Sequence, residues 1–194
     1  DWRFRMATPP KGDFPGVPLT PEARKIANTW DPEADTRPEV ACEYYGMPAL
    51  MRIPSRIHVT WADANTLKIE TDNGRQTRML HFGDAEPPEG KSRQGFSKAE
   101  WVVHRHQGDV VSGSIKVTTT HIAPGYLRWN GVPYSGETTV TEYIDFVTHP
   151  NGDAYLIFKT LVNDPKYLSE TFITSSNFRQ EPNDANWDPK DCWV

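Results

Sequence analysis

The chain has 194 residues, a net charge of −5 and 37% hydrophobic residues, so it is long enough to bury the core of one domain. The acidic balance and the lack of a basic cluster argue against nucleic acid or an anionic membrane surface as a partner. No apolar run approaches the roughly 20 residues of a membrane-spanning helix, and we therefore expect no membrane insertion.

The N-terminal part of the chain is rich in proline. Residues 1–54 hold nine of the seventeen prolines, which predicts an arm packed on the remaining domain. Within this arm, the sequence predicts one short helix over residues 20–30. Thr20 is a favourable N-cap, Pro21 suits the first helical turn, and Asp31-Pro32 ends the helix.

Residues 55–194 alternate apolar and polar side chains in short runs, which predicts β-strands. Asn73-Gly74 is a strong hairpin signal, and residues 84–95 form a polar loop. Eight strands are predicted, at 56–61, 66–71, 76–82, 99–105, 114–122, 138–147, 154–162 and 171–179. We therefore expect a mainly β, single folded domain, built as an antiparallel up-and-down barrel of about eight strands with the arm packed on it.

The two cysteines, Cys42 and Cys192, lie at opposite ends of the predicted domain. An even count at these positions predicts a disulfide that ties down the C-terminal tail, and two unrelated thiols are the alternative. A disulfide would indicate an oxidising compartment, the periplasm or the outside of the cell.

Three ionisable residues fall on apolar strand faces. On the period-2 alternation of a strand, His121 shares a face with Val117, Glu142 with Val140 and Ile144, and Arg78 with Leu80 and Phe82. Ionisable groups on a buried face are costly unless they are paired or used. The sequence therefore predicts a cation, an imidazole and a carboxylate inside the barrel, formed by Arg78, His121 and Glu142.

Two interpretations of this set remain open. In the catalytic one, His121 or Glu142 moves a proton and Arg78 holds developing negative charge. In the structural one, Arg78 and Glu142 form an ion pair and His121 is a hydrogen-bonded core residue.

The loop that follows His121 is dense in rings. Its composition suits a rim that grips a ring-shaped ligand by stacking and hydrogen bonds, with Tyr126, Arg128, Trp129 and Tyr134 as candidate substrate-binding residues. A tight connection held by Gly125, Gly131 and Pro133 is the alternative.

The other histidines are weaker candidates. His104 and His106 share a strand face, which is compatible with zinc or copper, but no third ligand lies at a diagnostic spacing, so we expect no metal. His58 and His81 point away from the apolar face by parity. They are secondary substrate-binding candidates if their strands pair in the right register.

Several motifs together cover nearly the whole chain. They resemble a family of secreted bacterial proteins with a TTTH…GYLRxNG…S…TE…DPxYL core, and here are carried by Pro18–Pro21, Cys42, Gly46–Pro48, Arg78, Thr118–His121, Pro124–Ser135, Thr141–Glu142, Asn163–Leu168 and Phe172. The resemblance implies a secreted or periplasmic protein, and it implies an architecture rather than a chemistry.

The chain departs from the family pattern in two places. An acidic residue often stands in the family where this chain has His58, and a GRWEGDTLVV segment is reduced here to a remnant near Ala99–Trp101. A small barrel with one helix also resembles the lipocalin group, whose lumen holds a small apolar ligand, although fold analogy is not evidence of function.

Two functional hypotheses follow from these residues. The first is an enzyme without a cofactor that performs acid–base chemistry of isomerase, cyclase or lyase type on a small, partly apolar or aromatic molecule. The second is a non-catalytic, lipocalin-like protein that binds a similar small molecule. A structural module of the cell envelope, with its interior filled by side chains, is a third and weaker hypothesis.

Overall fold

The computed structural model describes residues 9–35 and 38–192, and the protein is mainly β. The helices of the described residues lie in the arm: α1 (Pro21–Asn28), α2 (Pro32–Asp35), α3 (Pro38–Ala41), a 3-10 turn (Cys42–Tyr45) and α4 (Met47–Leu50). α1 is the predicted helix. The four-residue segments were not predicted because one turn is too short to show helical periodicity.

Eight predicted strands are present, together with a small hairpin that was not predicted. The strands are β1 (Ile57–Asp63), β2 (Thr66–Thr71), β3 (Thr77–Phe82), β4 (Phe96–His106), β5 (Asp109–Thr120), β6 (Gly125–Arg128), β7 (Val132–Tyr134), β8 (Thr139–Thr148), β9 (Ala154–Asn163) and β10 (Phe172–Arg179). β6 and β7 pair only with each other and form the small hairpin.

The main sheet is curled into half of a barrel, with the order β1-β2-β3-β4-β5-β8-β9-β10. Neighbouring strands are antiparallel except β3 and β4, which run parallel with Leu80 opposite Ser97. The prediction of an all-antiparallel sheet is wrong at this pair, because residues 83–95 carry the chain back along the sheet before β4 begins. β1 and β10 are the two edges of the described sheet, which is open where a closed barrel was expected.

Helix α1 forms as its sequence predicts. The Thr20 hydroxyl accepts a hydrogen bond from the Ala23 amide at 3.3 Å, and Pro21 occupies the first turn. Ala23 and Ala27 are fully buried, and α1 contacts β7 through this face. Small residues at this four-residue spacing let the helix lie close to the strand.

The arm supplies much of the core on the concave face, which we define as the side of the sheet that carries Leu80, Val117 and Ile144. Five buried apolar side chains pack against this face, from Tyr44, Tyr45, Leu50, Met51 and Ile53. Burial of each stabilises the fold by roughly 1.5–3 kcal/mol. The concave face is therefore filled by side chains wherever the arm covers it.

The predicted disulfide is present between Cys42 and Cys192. It joins the arm to the C-terminal tail, whose Lys190 also exchanges two backbone hydrogen bonds with the β2–β3 turn, at Asp72 and Gly74. Gly74 has φ +77°, and a Cβ there would lie 2.2 Å from the Tyr45 ring, so the turn requires glycine.

Removal of the disulfide is expected to lower the free energy of unfolding. The bridge closes a loop between residues 150 positions apart, so the loss is up to about 5 kcal/mol in the chain-entropy account. Urea unfolding with and without reductant measures it. The Cys42→Ser/Cys192→Ser double variant is the control and should not respond to reductant; equal stability of wild type in both conditions would contradict the expectation.

Candidate functional site

Arg78 and Glu142 form a bidentate ion pair inside the half-barrel. The Arg78 Nη2–Glu142 Oε2 distance is 2.6 Å and the Nη1–Oε1 distance is 3.3 Å. Both side chains are 0% exposed. Charge-assisted pairs of this geometry are strong and directional, which offsets the cost of removing both charges from water.

The pair bridges strands that are not neighbours. Arg78 lies on β3 and Glu142 on β8, three strand spacings apart in the sheet order, or roughly 14 Å along the sheet surface. Only a curled sheet brings the two side chains into contact. Between them, the Ser97 and Thr119 hydroxyls, on β4 and β5, share a buried hydrogen bond of 2.8 Å.

His121 does not join this pair. β5 ends at Thr120, and His121 has φ +55°, so the alternation that would place its side chain on the concave face stops one residue earlier. Glu142 is opposite Val117, four residues before His121, which separates the two by about 13 Å along the strand. The prediction that the strand continues through His121 is wrong. The half-buried imidazole contacts the Thr120 hydroxyl at 2.9 Å.

The candidate rim residues lie mostly inside the protein. Tyr126 stacks on Tyr44 with ring centroids 4.7 Å apart, and Trp129 packs edge-on against the same ring at 5.9 Å. Trp129 and Tyr134 are buried, whereas Tyr126 is half-buried. An open cleft of about 520 Å³ passes Tyr126 and Tyr134, with Lys91, Glu137 and Lys166 among its lining residues.

Arg128 and Arg52 both lie over the ring of Phe172. The Arg128 guanidinium lies over this ring at 5.7 Å and donates to the Pro15 carbonyl at 3.2 Å. Arg52 lies over the same ring at 5.3 Å and donates to the Leu127 carbonyl. Burial, and secondly the nearby Arg128 charge, lower the pKa of Arg52 to about 9, so it stays protonated at neutral pH. These contacts join the arm to β6 and β10.

Asp164 is the centre of a buried hydrogen-bond cluster. Its carboxylate is buried and accepts hydrogen bonds from the Ser135 hydroxyl at 2.9 Å, the Thr138 hydroxyl at 2.8 Å and the Lys166 and Tyr167 amides at 2.9 and 3.0 Å. A carboxylate with this many donors is satisfied without a counter-ion. Asp164 therefore holds the loop at Ser135 and Thr138 to its own loop at Lys166 and Tyr167.

His58 and His81 lie on the convex face, away from the core, as parity predicts. The register pairs His58 with Glu70 and His81 with Thr66, so they are about 13 Å apart along β2 and do not meet. His58 stacks on Trp187 of the tail at 3.7 Å. His81 stacks on Phe96 at 5.2 Å and lines an open cleft of about 550 Å³.

Within residues 9–35 and 38–192, no group of three or more His, Cys, Asp and Glu side chains converges as a metal site would require. The His104 and His106 positions lie near the tip of the β4–β5 hairpin. None of the helices in the described part of the chain has the length and apolar character that a membrane span requires.

The sheet also exposes large apolar side chains at the end of the concave face that the arm does not cover. We name the following set the apolar strip: Trp61, Phe82, Trp101, Val103 and Phe146. Trp101 is 59% exposed and Phe146 is 64% exposed. The rings of Trp61 and Trp101 lie 5.6 and 5.4 Å from the half-buried Phe82 ring between them. A contiguous exposed apolar surface of this kind is typical of a binding site.

The sequence analysis did not single out the apolar strip. Its signal is present in β4, where Ala99, Trp101 and Val103 alternate, and in β8, where Phe146 follows Ile144. Alternation assigns all of these to one face. It does not show how far the arm extends over that face.

Comparison of the chain with protein-family models, with curated proteins and with solved structures gave no match.

A substitution that breaks the ion pair is expected to destabilise the fold. Glu142→Gln leaves the buried Arg78 charge without a partner, which lowers the free energy of unfolding by about 3–5 kcal/mol. The apolar double variant Arg78→Met/Glu142→Leu removes both charges and should recover most of this loss. Urea unfolding of the three proteins checks the expectation, and a Glu142→Gln variant as stable as wild type would contradict a structural role for the pair.

Tyr134 is expected to make stability depend on pH in the alkaline range. Its hydroxyl is buried and has no hydrogen-bond partner among the described residues, and burial raises the pKa of Tyr134 above its usual value near 10. Above pH 10 the folded state therefore keeps a proton that the unfolded state loses. The contribution of this proton to the free energy of unfolding is complete below pH 10 and declines as the pH rises above 10.

Tyr134→Phe should raise the free energy of unfolding by about 1 kcal/mol at pH 7, because it removes the unpartnered hydroxyl. It should also make the free energy of unfolding fall less steeply with pH above pH 10 than it does in wild type. Urea titrations across this range measure both effects. Tyr143→Phe is the control, because it removes the hydroxyl of a half-buried tyrosine on the convex face. An unchanged alkaline slope in Tyr134→Phe would show that other groups cause it.

Proposed function

We propose that the protein is a non-catalytic binding protein that holds a small apolar molecule on the apolar strip of its half-barrel. The observation that carries the proposal is the exposure of Trp61, Trp101, Val103 and Phe146 on one concave surface. Exposed apolar area on a concave sheet face is unfavourable in water, and a bound apolar molecule removes it.

The acid–base hypothesis receives less support from the geometry. Proton transfer to a substrate requires that the acid or base reach it, within hydrogen-bond distance or through one water. The carboxylate of Glu142 and the guanidinium of Arg78 contact each other and are sealed from solvent, and His121 lies beyond the end of β5. The strip, by contrast, is open to a ligand.

The disulfide supports the same kind of role outside the cytoplasm. Structural disulfides persist in oxidising compartments, which supports the proposal that the protein acts in the periplasm or outside the cell.

Titration with anilinonaphthalene sulfonate, whose fluorescence rises in an apolar site, tests the proposal. Wild type should bind the dye, and Trp101→Ser should weaken binding about tenfold because one large apolar contact is lost. Ile173→Ser is a matched control, since Ile173 is 65% exposed but lies on the convex face. Its affinity should equal that of wild type. Equal weakening by both variants, or no binding by wild type, would overturn the proposal.

A further inference from the structure

The apolar strip forms a long and narrow path that ends at a cation. Along β4, Trp101 and Val103 occupy alternate positions of one face. Arg105 follows two residues later, beyond a register shift in the pairing of β4 with β5 between His104 and Arg105, and the segment from Trp101 to Arg105 spans about 13 Å. The path continues from Trp101 to Phe82 and on to Trp61 in ring-to-ring steps of 5.4 and 5.6 Å.

The rings do not offer a flat platform. The Phe82 and Trp101 planes are inclined by only 23° and stack on each other. The Trp61 plane is inclined by 41° to the Phe82 plane, so the three rings do not share one plane. A flat ring system therefore cannot stack on all three at once, whereas a flexible hydrocarbon chain can follow them.

The path is open on its β3 side. β3 pairs with β4 only as far as Phe82 opposite Ala99, so no strand lies beside Trp101, Val103 and Arg105. From Val103 to Trp61 the path contains no polar side chain. The part of a ligand that lies on it is therefore hydrocarbon, because a polar group there would lose its hydrogen bonds to water.

Arg105 gives the outer end of the path a positive charge. Its side chain is exposed and donates from Nη1 to the Gly108 carbonyl at 3.1 Å. Among the salt bridges of the described residues, none involves Arg105. A guanidinium without a carboxylate, two residues beyond an apolar path, is complementary to an anionic head group.

We propose that the ligand of the apolar strip is a single-chain anionic amphiphile. Its head group pairs with Arg105, and its extended acyl chain lies over Val103, Trp101, Phe82 and Trp61. This inference rests on the proposed function, because it names the ligand class of the same site.

Calorimetric titration with laurate below its critical micelle concentration, and with lauryl alcohol below its solubility limit, both at low salt, tests the head-group contact. Arg105→Gln should weaken laurate binding roughly tenfold, since a hydrogen bond to a charged group is lost, and should leave lauryl alcohol within about twofold. Arg179→Gln removes an exposed arginine from the convex face and is the matched control. It should change neither affinity.

The contact with the acyl chain of the ligand is tested by changing the length and the shape of the ligand. Affinity for fatty acids from octanoate to laurate should rise by roughly fourfold per buried methylene, and pyrene, a flat apolar molecule, should bind more weakly than laurate. The amphiphile proposal is overturned if Arg105→Gln affects both ligands equally or neither, or if pyrene binds more tightly than laurate while the proposed function stands. If none of these molecules binds wild type, the proposed function itself fails.

Discussion

The ion pair between Arg78 and Glu142 is the contact that places the strictest geometric requirement on the curl of the sheet. The two residues lie on strands three spacings apart, and their side chains meet only if the sheet curls around them. Burial removes both charges from water, and this cost is offset only if the pair keeps its geometry in well-packed surroundings. The arm meets this requirement by packing Tyr44, Tyr45 and Leu50 over the concave face.

The arm divides the concave face into two environments. Where it lies, the face is core, held further by the Cys42–Cys192 bridge and by the carboxylate of Asp164. Where it ends, the same face continues as the apolar strip in contact with solvent. The same alternation of apolar and polar side chains along the strands therefore places a buried ion pair at one end of the concave face and an exposed apolar surface at the other.

Local signals in the sequence predict the fold better than they predict the site. The Thr20 cap and the Asn73-Gly74 turn are short-range features, and the structure has the expected helix and hairpin at both. Parity placed Arg78 and Glu142 on one face, but exposure depends on what covers that face, and the arm is far away in sequence. His121 shows the limit of parity: a single left-handed residue at the end of β5 cancels the alternation. The parallel pairing of β3 with β4 likewise depends on the path of a long loop, which no residue pattern encodes.

The apolar strip is not explained by the stability of the fold. Trp101 and Phe146 keep more than half of their surface in water, so their burial contributes little of the free energy that holds the sheet together. Polar residues at these positions would cost the core almost nothing and would lower the risk of association. The strands instead place their largest apolar side chains where the arm leaves the face open. Because the fold does not require them there, a contact outside the fold accounts for their position under the proposal of a bound ligand, and the exposed Arg105 beyond them fits the proposed anionic amphiphile.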